Sequence, residues 1–287
     1  MTASRTVKFL CLLLATALLF IGGAVLSYYG DIWFPVIERL RVHDSLDLTP
    51  AGEIQTKEWS LDALQKTRGV ICTDMMMLVN FDHPLPEGYE ADLIEYNGAI
   101  MHPEIKKSYI ALRDVVQEAT GVRIYVASDF RTDKEQQAIY ESSPDGIAAK
   151  PGHSEHQTGL SLDVYAPHFG GENFLRSEAG RMVSRVCQDY GFILRYPVGK
   201  EDVTGISYEP WHIRYVGAPH AELIMNSGLS YEEYIDFLQP NVWYRTSGDV
   251  LIARCSGDAL KLPESWKTCE ISPDNTGYYL VTITVTK

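Results

Sequence analysis

Two segments of the chain carry side chains able to do chemistry together. The first is Gly152-His153-Ser154-Glu155-His156-Gln157-Thr158-Gly159-Leu160-Ser161-Leu162-Asp163, and the second is Glu209-Pro210-Trp211-His212. His156, His212 and Asp163 are of the types that hold one zinc ion. Three protein ligands with a fourth position open is the pattern of a catalytic zinc, whereas structural zinc is closed by four ligands rich in Cys. Glu209, three residues before His212, supplies the further carboxylate such a site needs as general base. A zinc ion held this way lowers the pKa of a coordinated water to about 7, so the pattern reads as a zinc hydrolase. Eight histidines in the chain make some chance spacings inevitable. Taken alone, His156 therefore also reads as an ordinary polar residue, and short motifs carry false positives.

Asp163 has two readings as well. Leu160 and Leu162 alternate with Ser161 and Asp163, which suits a strand with one apolar and one polar face. An acid on such a strand can be a simple hydrogen-bond acceptor, but burying a carboxylate without a cation or donors is costly, and zinc supplies the cation. His153 is too near His156 to ligate beside it with ease, so it is expected next to the centre or exposed. His83, His102, His168 and His220 read as structural or surface groups.

Ser154-x-His156-x6-Asp163 followed by Glu209-x-x-His212 resembles the signature of the zinc D-alanyl-D-alanine carboxypeptidases of the VanY group. The wider superfamily takes in lysostaphin-type peptidases and the hedgehog domain. Further blocks are similar in order and spacing: Leu78-Val79-Asn80, His83-Pro84-Leu85-Pro86, Ser128-x-x-Arg131-x-x-x-x-Gln136, Tyr190 to Pro197 and Tyr208 to Gly217. Together they cover about Leu78 to Leu238. The resemblance implies His156, Asp163 and His212 as zinc ligands and Glu209 as general base and later proton donor. It implies Arg131 opposite the scissile carbonyl oxygen, and Ser154 and Gln136 as residues that orient the substrate peptide. Without the resemblance, Arg131 also reads as a structural ion-pair former. The usual Ser-Gly-Tyr-Arg is here Ser128-Asp129-Phe130-Arg131, so any contact made by that phenol is lost. The implied reaction removes the terminal D-Ala from peptidoglycan precursors or stem peptides, with a contribution to glycopeptide resistance in a host making altered precursors. An L,D-carboxypeptidase acting on tetrapeptide stems shares these motifs. A zinc-holding wall-peptide binder without turnover is the reading from another class, and the presence of Glu209 and Arg131 speaks against it.

The elements that must carry these residues are mixed. Ile105, Tyr109, Leu112, Val115 and Val116 recur at helical spacing over 103–118, with Gly121 as the stop. A β-rich run at 123–127 delivers Ser128 and Arg131. A helix at 134–140 places Gln136 about one turn past Arg131. Pro144 to Gly152 reads as a loop, 160–165 as a strand and 177–190 as a helix. Two more strands are expected at 192–196 and 212–216, and a short helix at 231–238. This is an α+β fold, an antiparallel sheet flanked by helices with the zinc site in its central cleft. The expected organisation is a membrane helix at 1–30, a juxtamembrane spacer at 31–66, the zinc carboxypeptidase domain at 67–240 and a small β appendage at 241–287.

Arg5 and Lys8 precede an uncharged apolar run from Phe9 to Leu26, near the length of a spanning helix. The reading is an uncleaved signal anchor, single-pass, with the catalytic body outside the membrane; a cleaved secretion signal is the alternative. A net charge of −13 disfavours nucleic acid as a partner. Five cysteines do not make a disulfide scaffold. Cys72 and Cys187 read as buried thiols, and Cys255 with Cys269 as a pair that export would allow to bond.

Overall fold

The run Ser161-Leu162-Asp163-Val164-Tyr165 forms a central strand of a four-stranded antiparallel sheet. The computed structural model describes residues 5–143 and 148–285; in the first helix the side chains of residues 5–8, 10, 11, 24, 26 and 27 lie outside it. Strand order is Tyr125–Ser128, Ser161–Tyr165, His212–Tyr215 and Phe192–Leu194. Leu162, Val164 and Ile213 are fully or almost fully buried beneath this sheet. They pack against Ile105, Leu112 and Val116 of helix Pro103–Thr120 and against Ala179 and Val183 of helix Glu178–Val186. Because successive strand residues point to opposite faces, the buried leucines leave Ser161 and Asp163 on the other face. Helix Pro103–Thr120 begins with Pro in its first turn and ends at Gly121, whose φ of 72° favours a residue without a Cβ. The helices and strands expected within 67–240 form, with ends shifted by a few residues, and the fold is mixed α+β. Part of the loop expected at 144–152, residues 144–147, lies outside the described residues.

The 31–66 stretch is not a spacer. Helix Gly30–Arg39 docks on the 67–240 region through buried Phe34 and an Asp31–Arg176 ion pair of 3.0 Å. A Cβ on Gly30 would meet the Leu175 carbonyl oxygen at 2.3 Å, so the approach requires glycine. Strand Thr49–Pro50 pairs with Trp243–Arg245, and Thr56–Ser60 pairs with Ala259–Pro263. The β structure expected at 241–287 is joined to the rest of the chain. Its strands build a six-stranded sheet in the order Thr49–Pro50, Trp243–Arg245, Val250–Cys255, Tyr279–Thr284, Thr268–Pro273 and Val70–Cys72. Ile252 and Leu280 of this sheet share a core with Ile224, Tyr231 and Ile235. His220 fastens the same junction, sharing hydrogen bonds of 2.7 Å with the Tyr234 and Thr282 hydroxyls. The polar look of 31–66 has a simple cause. Four of the five side chains of Thr56–Ser60 are exposed, and the strand is held by its backbone, which composition does not report.

Cys72, Cys187, Cys255 and Cys269 are free thiols. Cys255 and Cys269 sit on strands separated by Tyr279–Thr284. Two strand spacings put them roughly 10 Å apart before any offset along the strands, beyond the Cα reach of a disulfide. Cys187 is buried as expected, whereas Cys72 is exposed on the outer strand. The first helix runs Arg5–Tyr28. Among the described residues, no helix is long and apolar enough to cross a membrane, and the side chains of Arg5 and Lys8 lie outside the description.

Candidate active site

Sheet register brings the expected ligands together. Asp163 pairs with His212 across neighbouring antiparallel strands, so their side chains emerge side by side on the same face. His156 arrives from the short 3-10 turn Glu155–Thr158, which ends at Gly159 with φ 72°. A Cβ on Gly159 would lie 2.7 Å from a Leu93 methyl and 3.0 Å from the His102 nitrogen, so this turn too is built on glycine. His156 donates from Nδ1 to the Asp129 carbonyl at 2.8 Å, which leaves Nε2 free to face the centre. Nε2 lies 3.4 Å from Asp163 Oδ2, and His212 Nδ1 lies 3.0 Å from Asp163 Oδ1.

One ligand atom from each of His156, Asp163 and His212 falls within 4.8 Å of the others, the one such grouping among the described residues. Asp163 Oδ1 is buried and makes no hydrogen bond. Two converging imidazole nitrogens beside an orphaned carboxylate oxygen fit a zinc ion, the donor set of a three-ligand catalytic centre. Burial opposes ionisation of Asp163, yet His156 and His212 hold it well below the usual carboxylate range. Burial lowers the pKa of His156, which favours the neutral imidazole a metal requires. Burial also opposes charge on His212, but Asp163 and Glu155 push it up to about 9. A cation must displace that proton to bind.

Glu209 Oε2 stands 3.6 Å from His212 Nδ1. Burial raises the pKa of Glu209, helped by the charge of Asp163 and opposed by His212 and Arg131. A carboxylate whose proton affinity is raised toward the working pH is suited to take and return a proton. Arg131 follows the strand Tyr125–Ser128, whose pairing slips by a bulge between Val126 and Ser128 and so redirects the chain into the site. Its guanidinium donates to Ser128 Oγ at 2.9 and 3.1 Å, to Gln136 Oε1 at 3.3 Å and to Asp163 Oδ2 at 3.3 Å.

Gln136 lies beside Arg131. It is buried on helix Asp133–Ser142, accepts from Arg131 and donates to the Ala149 carbonyl at 2.7 Å, so both ends of its amide are engaged within the protein. Ser154 is buried at the start of the His156 turn and its hydroxyl caps nothing. His153 stays outside the cluster and shares a 2.9 Å hydrogen bond with the Asn80 carbonyl. Sequence reasoning assigns no role to Asp129 or Glu155. Asp129 acts through a main-chain carbonyl, which no residue type announces, and its carboxylate accepts from the Ile100 amide at 2.5 Å. Glu155 lies inside the motif, but its partners come from other strands.

The comparisons with known proteins agree with this geometry. Residues 98–218 match the family model VanY, D-alanyl-D-alanine carboxypeptidase. That span lies inside 67–240 and contains His156, Asp163, His212, Glu209, Arg131, Gln136 and Ser154. A bifunctional D-Ala-D-Ala dipeptidase and D-Ala-D-Ala carboxypeptidase of Enterococcus gallinarum is 36% identical over 192 residues, covering 58% of this chain and 96% of that protein. The vancomycin-resistance D,D-dipeptidase VanXYg, solved with a D-Ala-D-Ala phosphinate analog, has a TM-score of 0.64 at 28% identity, covering 81% of this chain and 99% of that one. The D,D-pentapeptidase VanY of a VanB-type cassette, solved as a point mutant in complex with Zn(II), has a TM-score of 0.50 at 34% identity, covering 56% and 98%. A zinc-type cluster with an adjacent carboxylate, carried on a matching sheet, places this chain in the VanY family of D-alanyl-D-alanine carboxypeptidases.

Proposed function

We propose that this chain is a zinc D,D-carboxypeptidase that removes the C-terminal D-Ala from peptidoglycan precursors or stem peptides. One observation carries the reading: His156, Asp163 and His212 converge, with Glu209 3.6 Å from one ligand and Arg131 3.3 Å from another. When bound, zinc supplies Lewis acidity and a nucleophilic water near neutral pH. Glu209 takes the proton from the attacking water and returns it to the departing amine. Arg131, fixed by Ser128 and Gln136, offers its guanidinium to the carbonyl oxygen as negative charge develops there. Ser154 borders the same space and is free to bond the peptide.

The uncharged run Phe9–Leu26 supports a further reading, in which the first helix is a single-pass signal anchor and the catalytic body faces outward. The exposure of Leu12, Leu18, Leu19 and Phe20 supports it too. Mass spectrometry of pentapeptide and tetrapeptide muropeptides, with and without chelator, tests the activity. The expected result is alanine loss from the pentapeptide, abolished by chelator and restored by zinc. Loss from the tetrapeptide alone would make this an L,D-enzyme, and stoichiometric zinc with no loss from either would make it a binding module. Protease accessibility of the C-terminal body in intact cells tests the orientation.

A further inference from the structure

We propose that Glu155 is a positioning residue that fixes which nitrogen of His212 turns toward the metal. His212 presents Nδ1 to Asp163 at 3.0 Å and to Glu209 at 3.6 Å. Its other nitrogen, Nε2, is buried and has no hydrogen-bond partner. Glu155 Oε2, 3.9 Å away, is the acceptor facing it. A carboxylate paired with Arg195 and Arg214 offers only acceptor oxygens, so this arrangement favours the tautomer with the proton on Nε2 and the lone pair on Nδ1.

Glu155 itself is held rigidly. Its side chain is wholly buried, Oε1 accepts from Arg195 at 2.7 Å and faces Arg214 at 3.6 Å, and Oε2 accepts from Ser161 at 3.2 Å. Arg195 is gripped in turn by Glu232 at 2.5 and 3.0 Å, and Glu232 accepts from Asn80 at 3.2 Å. Arg214 donates to the Met75 and Met77 carbonyls at 2.9 and 3.0 Å. Two guanidinium groups therefore balance two carboxylates, and the block Leu78-Val79-Asn80 acquires a function through Asn80.

This inference rests on His212 being a zinc ligand. Zinc affinity of the full chain, measured by chelator competition, is expected to fall 10–100-fold in Glu155→Gln. Ile283→Ala, buried in the core of the six-stranded sheet, is expected to lower thermal stability with zinc affinity unchanged. Histidine 15N NMR of the zinc-loaded wild type is expected to show Nε2 protonated and Nδ1 metal-bound on His212. Unaltered zinc affinity in folded Glu155→Gln, or ligation through Nε2, would overturn the inference. Should Glu155→Gln not fold, the wild-type spectrum decides alone. A His212→Ala chain that binds zinc as tightly as wild type would instead sink the ligand assignment itself.

Discussion

The two larger sheets of this protein are built on opposite plans. The four-stranded sheet keeps one apolar face on the helices and turns the other into a ligand platform, with Asp163 beside His212 and Ser161 beside Arg214. The six-stranded sheet buries Leu251, Ala253, Ile271, Val281 and Ile283 in a core of its own and carries none of the candidate site residues. The first sheet holds charges where an apolar side chain would be cheaper. The second holds the apolar mass that such charges do not provide. Substitutions in the two should therefore separate turnover from stability.

The largest separation is expected at Glu209. Glu209→Gln should lower kcat by about 10³-fold, within the range of a lost general base, while zinc stoichiometry and the unfolding midpoint stay near wild type. An equal loss of zinc would mean that Glu209 ligates. Arg131→Met should cost about 10²–10³ in kcat, as loss of an oxyanion donor does. KM values on the pentapeptide would show whether it merely binds ground state. In the other sheet, Ile283→Ala should lower unfolding free energy by about 2–4 kcal/mol through the cavity it leaves, read by urea titration. Its kcat/KM below the transition should match wild type, and a fall there would show that the sheets are coupled.

The smallest effect is a pH dependence in the second sheet. Burial pushes Glu270 up to about 7, with Glu104 adding repulsion. A carboxyl whose folded pKa lies above its unfolded value favours the protonated fold. Stability from this group is therefore complete below the ordinary carboxylate pKa and is lost as pH rises through about 7. Melting temperatures at pH 5 and pH 8 should converge in Glu270→Gln relative to wild type, with the gain at pH 8. A variant that tracks wild type at both values removes Glu270 from the account.

The same contrast explains what the sequence could tell. Asp163, His156, His212 and Glu209 are metal-binding and proton-accepting side chains at characteristic spacing, and the alternation at 160–165 announces the face that Asp163 takes. Gly121 stops its helix by backbone geometry alone. Helical spacing sets Gln136 near Arg131, as the structure has it, but only coordinates show that its amide bonds Arg131 and the Ala149 carbonyl. The partnership of Thr56–Ser60 with Ala259–Pro263 leaves no trace in the sequence. That pairing is made by backbone groups some 200 positions apart, and four of the five side chains of Thr56–Ser60 face water. The separation of Cys255 from Cys269 by an intervening strand is equally unreadable from their spacing along the chain.

The outermost strands of the six-stranded sheet, Thr49–Pro50 and Val70–Cys72, come from the first quarter of the chain, and its inner four come from the last. During synthesis the early strands emerge long before their partners. At 5–20 residues per second the wait is roughly 10–35 s. The carboxypeptidase sheet, whose strands all lie between residues 125 and 215, is complete before that wait ends. A chain that folds as it is made would therefore close the four-stranded sheet while these outer strands are still unpaired. Loss of the last quarter of the chain would leave those edges open to aggregation or proteolysis.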